Sequence, residues 1–142
     1  MNEEKMIDVL AAIEGADGDL GHDQSAWFFE PDNHCGTTAC LAGWTAHLAG
    51  YKPIFRRIAE YRHLDKGGYV TGTVSRDGDS YATLTAMVAR AELELDHHEA
   101  HRLFYTAKSL GEVYGTAADL MGVDEQVLRD KVQDRVALTR SA

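Results

Sequence analysis

The chain has 142 residues, of which 44% are hydrophobic and 26% charged, so it excludes wholesale disorder and suits one domain with a modest core. Its net charge of −9 argues against direct nucleic-acid binding or adhesion to a membrane surface by the whole chain, and two cysteines exclude a disulfide-rich scaffold. No apolar run approaches the ~20 residues of a membrane span, and Met1–Lys5 has no apolar leader character, so a cytoplasmic protein is expected.

Residues 2–14 have helical spacing. Met6, Val9, Leu10 and Ile13 share one face, and Glu3 and Glu4 suit the positive end of the helix dipole. A long connection follows from Gly15 to Asn33. Its aromatic cluster, Trp27-Phe28-Phe29, is expected to fold back onto the core, since an exposed trio would be a sticky patch. A second helix is predicted from Thr37, as N-cap, to about Ala49, with Gly50 after it and Leu41, Trp44 and Leu48 as its apolar stripe. Pro53 is predicted to open a third helix with Ile54, Phe55, Ile58 and Ala59 facing inward. Tyr69–Val74 has β character and Asp77-Gly78 is a turn signal, which predicts a small hairpin near 69–76 or an extended arm there. A fourth helix is predicted from about Ser80, with Leu84, Met87, Val88, Ala91 and Leu95 on one face. Asp96 with Glu99, Ser109 with Glu112, and Asp124 between Val123 and Leu128 are start signals for helices at about 97–106, 110–121 and 125–139. Gly122 closes the second of these three. The expectation is a single all-α domain over 1–142, six or seven short helices with at most that small hairpin.

Charge is unevenly spread. Residues 1–33 hold nine acids against the single base Lys5, whereas residues 52–66 hold Lys52, Arg56, Arg57, Arg62 and Lys66 against Glu60 and Asp65. Either the two segments face each other or are simply solvated, or they are a pair of recognition patches, one for a basic partner and one for an anionic group.

The most distinctive stretch runs from His34 to Trp44. With Thr37 as N-cap, Cys40 falls at the third helical position, where the dipole lowers a thiol pKa, and Cys35 could fold back toward it. Four readings stay open for Cys35 and Cys40: two small buried residues, a structural or redox-labile disulfide, half of a metal site completed by His34 or His47, or a catalytic thiol. The disulfide would close a very short loop and stabilise by only ~2 kcal/mol. The metal reading lacks the usual zinc spacing and a second cysteine pair. Among the histidines, His97 and His101 stand four apart on a helix, as two ligands of one ion would. With Asp96 as N-cap, however, His97 and His98 belong to a solvated first turn, and no metal is expected there. Asp17, Asp19 and Asp23 lack the ligand order of a calcium loop. No phosphate-binding glycine motif, dinucleotide fingerprint or nucleophile elbow is present, so no cofactor is expected.

Cys35-Gly36-Thr37 followed by Ala39-Cys40-Leu41-Ala42-Gly43-Trp44 resembles the C-G-T-x-A-C-[IL]-A-G pattern of a family of small uncharacterised proteins of actinobacteria and their phages. The aromatic stretch Trp27-Phe28-Phe29 and a later stretch read in Ala91–Leu95 and Ala100–Phe104 are similar to that family too, and the resemblance spans about 27–104. The family's usual loop glycine is replaced by Glu94. The resemblance implies a phage-related setting and no activity. The expected function is that of a non-catalytic accessory protein that binds a protein partner of host or phage origin, with a homodimer also compatible. The alternative is a thiol-based redox-sensing or metal-binding module using Cys35 and Cys40.

Overall fold

A computed structural model describes residues 1–15, 20–33 and 36–141. Among the described residues it contains six α-helices and eight strands in two sheets, so the all-α expectation is overturned in favour of a mixed α/β fold. The strands are two to four residues long, too short to show alternation in a sequence, and several occupy stretches whose apolar spacing also fits a helix.

Helix α1 (Glu3–Glu14) is capped by Asn2, whose side chain accepts from the Lys5 amide, and it buries Met6, Ile7, Val9, Leu10, Ala11 and Ile13. Strands β1 (Gly21–His22), β2 (Phe28–Pro31) and β3 (Thr38–Ala39) come next, then helix α2 (Leu41–Leu48) and strand β4 (Tyr51–Pro53). A 3-10 turn (Ala59–Tyr61) leads into β5 (Arg62–His63), β6 (Gly68–Thr71), β7 (Thr73–Arg76) and β8 (Thr83–Leu84). Helices α3 (Thr85–Glu92) and α4 (His97–His101), a π-helical turn (Arg102–Thr106), α5 (Leu110–Met121) and α6 (Glu125–Ser141) complete the chain.

The larger sheet has the order β1-β3-β2-β6-β5 and the smaller β4-β7-β8. The 69–76 segment is therefore not a hairpin. Its halves β6 and β7 pair with different partners, and Gly72 carries the chain from one sheet to the other. Phe28 and Phe29 are both buried on opposite faces of β2: Phe28 joins the main core, while Phe29 meets His63 edge-on and Lys66 over its ring. The predicted third helix is absent, since Pro53 ends β4 and its carbonyl-side neighbour Ile54 donates to Thr73.

Helix α2 lies at the centre, packed on α1 and α3, and Leu41, Ala42, Trp44 and Ala46 are buried. It starts at Leu41 rather than after Thr37, because Thr38 and Ala39 are held as strand by β1 and β2. Leu48, expected in its apolar stripe, is 49% exposed near its end. The fourth predicted helix likewise starts late, at Thr85, which turns Leu84 and Met87 outward and Val88, Ala89 and Leu93 inward.

The C-terminal helices follow their caps. Asp96 and Glu99 form a reciprocal capping box, and Ser109 accepts from the Glu112 amide. Gly122 closes α5 in the left-handed region at φ 70°. α3 ends in the same way: Glu94 and Leu95 amides donate back to Ala91 and Arg90 carbonyls, and Glu94 takes φ 54° where glycine is usual. Leu128, Val132 and Val136 seat α6 on the core, and Arg135 clasps Glu4 and Asp8 of α1. Tyr114 is buried, with its hydroxyl donating to Glu14 at 3.0 Å and Arg129 4.2 Å above its ring.

Candidate functional site

The residues of the distinctive motif form the joint between β3 and α2. Gly36 has φ 82°, a left-handed conformation that other residues adopt at a cost. Ala39, Cys40, Leu41 and Ala42 are buried, and a Cβ at Gly43 would lie 2.2 Å from the Trp27 carbonyl oxygen. The pattern thus encodes a close crossing of α2 over the chain that enters β2.

Cys40 is the N-cap of α2 and not its third residue. It is a free thiol, 2% exposed. Burial pushes it up to about 11, and the pull of the Gly43 and Ala42 amides does not offset this. The expectation of a lowered thiol pKa is therefore reversed: the helix amides act as anticipated, but desolvation wins. A thiol cannot cap as an oxygen does, and the cap is supplied by Gln24, whose buried side chain accepts from the Leu41 amide at 3.1 Å. The same Gln24 donates to the Leu103 carbonyl at 3.1 Å, which ties α2 to the π-helical turn. Cys35 and His34, and with them the thiol-pair reading, lie outside the described residues.

Three of the five basic candidates meet the acidic segment. Arg57 pairs with Glu30 at 2.5 Å, Arg62 makes a two-point contact with Asp32, and Lys66 pairs with Asp23 at 2.6 Å. Arg57 and Arg62 also lie over Tyr69, 5.5 and 5.4 Å from its ring centre. Lys66 and Ser25 hold Asp23 at about 2 although burial works to raise it. Lys52 and Arg56 are exposed. The charge asymmetry is thus largely an internal match between two segments of the chain.

His97 lies 3.2 Å from Arg90, and His101 stacks on Tyr105 at 5.5 Å. Among the described residues no three metal-ligating side chains gather, and no helix is long and apolar enough to cross a membrane.

One concavity brings together distant features. A cleft of about 310 Å³ is lined by Gln24, Ala26, Trp27, Cys40, Phe104, Tyr105 and Lys108, among others. Trp27 meets Phe104 and Tyr105 edge-to-face, with ring centres 6.2 and 5.3 Å apart. Its outer wall is the π-helical turn, where Ala107 donates to Arg102 across five residues at 3.0 Å. Such turns recur at functional sites because the wider turn re-aims side chains. Here Tyr105, 51% exposed, stands between Trp27 and His101. Sequence reasoning missed this site. Its aromatic members come from opposite parts of the chain, and nothing in the 97–106 pattern announces a π turn.

No family model matches the chain, and no curated protein or solved structure is similar to it at a significant level.

Proposed function

We propose that this is a non-catalytic, cytoplasmic accessory protein that works by binding a protein partner, and that the cleft between Trp27 and Tyr105 is where it binds. The observation that carries the reading is the aromatic cleft itself: an exposed tyrosine held between two rings on a π-helical turn, with its base fixed by buried Gln24. Rigid aromatic side chains at the mouth of a pocket give contact area at low entropic cost. The deep burial and raised pKa of Cys40 support a packing role for it rather than a reactive one.

Affinity capture tests the reading. The wild-type chain is compared with Tyr105→Ser, an exposed site whose loss leaves the core intact. Capture of a discrete partner by the wild type, lost in Tyr105→Ser while Arg56→Ser keeps it, supports the cleft. Equal capture by wild type and Tyr105→Ser contradicts it.

A further inference from the structure

We infer that the cleft takes a segment of the partner in which a large apolar side chain stands beside a carboxylate; this rests on the binding reading above and names the chemistry of its ligand. The floor and walls are apolar, made by Ala26, Trp27, Phe104 and Ala107. At about 310 Å³ the space is at the lower end of ligand pockets and suits one large side chain.

Lys108 is the one charged residue among those described as lining the cleft. Trp27 Nε1 and the Tyr105 hydroxyl have no hydrogen-bond partner among the described residues. Lys108 Nζ makes one bond, to the Tyr105 carbonyl at 2.9 Å, and pairs with no carboxylate among the described residues. Neighbouring acids are already engaged: Asp23 with Lys66 and Ser25, and Glu112 with the Lys108 amide at 2.8 Å. Gln24 is likewise spent on His22, Leu41 and Leu103. The cleft thus sets one ammonium beside an apolar lining, and a carboxylate complements it.

A protein partner, as proposed above, presents a chain segment rather than a small acid, and an exposed apolar side chain outside the cleft is open to it. Trp27 packs against Gly72, whose carbonyl accepts from Thr85, and the adjoining Leu84 is exposed.

The full chain is titrated with acetyl-Gly-Asp-Phe-Asp-Gly-amide, with its Asn-for-Asp analogue and with 3-phenylpropionate, followed by amide and indole NMR signals. Trp44 serves as internal control, because its indole N–H is held by the Gly21 carbonyl at 2.9 Å. The expected result is a shift of the Trp27 indole and of amides in 24–27 and 104–108 but not of the Trp44 indole. The Asn peptide, 3-phenylpropionate, and the Asp peptide on Lys108→Glu or Lys108→Gln should each bind roughly tenfold more weakly. Equal binding of Asp and Asn peptides overturns the carboxylate and leaves the cleft reading standing. Equal binding of 3-phenylpropionate overturns the segment. Absence of any shift overturns the inference, and the Tyr105→Ser capture decides the parent reading separately.

Discussion

Replacing Gly43 by alanine puts the packing account of the motif at risk in a single atom. The added Cβ would stand 2.2 Å from the Trp27 carbonyl oxygen and 2.7 Å from the Ala39 Cβ. Carbon contacts settle near 3.5–4 Å, so strand and helix must part by roughly 1 Å. The obstacle is backbone, which cannot swing aside as a flexible side chain does. Separation would also strain the bond from the Cys40 amide to the Ala26 carbonyl, now 2.9 Å. Overpacking costs ~1–3 kcal/mol and a weakened buried hydrogen bond ~1 kcal/mol, against a helix-propensity gain of up to ~1 kcal/mol. We expect a net loss of about 2 kcal/mol in urea unfolding followed by circular dichroism. Gly111→Ala is the control: it lies in α5 with only the Ser109 hydroxyl near, at 3.8 Å, and should be neutral or stabilising. If Gly43→Ala matches Gly111→Ala, the close crossing is wrong.

Tyr114→Phe should cost about 1–2 kcal/mol in the same assay, because it removes the hydroxyl that bonds Glu14 and leaves the ring in place; no change would mean that this bond contributes nothing. Glu94→Gly should stabilise by about 0.5–1 kcal/mol, since φ 54° costs a side chain more than it costs glycine, and a loss of stability would refute the strain. Asp23 has a depressed folded pKa of about 2, so its contribution is full above the unfolded value near 4 and fades as pH falls toward 2. Asp23→Asn should therefore flatten a small part of the acid limb of a stability–pH profile between about pH 4 and 2, and an unaltered limb would remove Asp23 from it. In a Cys35→Ser background, Cys40 should react with a thiol reagent at neutral pH only after denaturant is added, and rapid native-state labelling would contradict its burial.

The helices that start on an oxygen-bearing cap were legible in the sequence. Asp96 and Ser109 hold the amides that their spacing suggests, and Gly122 ends α5 in the left-handed region where a glycine costs least. The failures cluster where a tertiary contact replaces a local signal. Thr37 looked like the cap of α2, but strand pairing of Thr38 and Ala39 delays the helix, and its first amide is capped by Gln24, far along the chain. The stretch from Pro53 to Ala59 has helical apolar spacing, yet β7 claims Tyr51–Pro53 as a sheet partner. The charge asymmetry of the sequence did carry structural information: Arg57, Arg62 and Lys66 meet Glu30, Asp32 and Asp23 across the fold. The cleft was not legible, because Trp27 and Tyr105 become neighbours only after β2 and the π turn are both in place.

Photo-crosslinking from the cleft tests the central claim most directly. A benzoylphenylalanine placed at Tyr105, exposed at the mouth, is compared with one at Lys131, exposed on α6. The account predicts one discrete covalent adduct from position 105, competed by excess unlabelled protein, and none from position 131. The same adduct pattern from both positions, or none from 105 while the chain still captures its partner, would place binding elsewhere on the molecule.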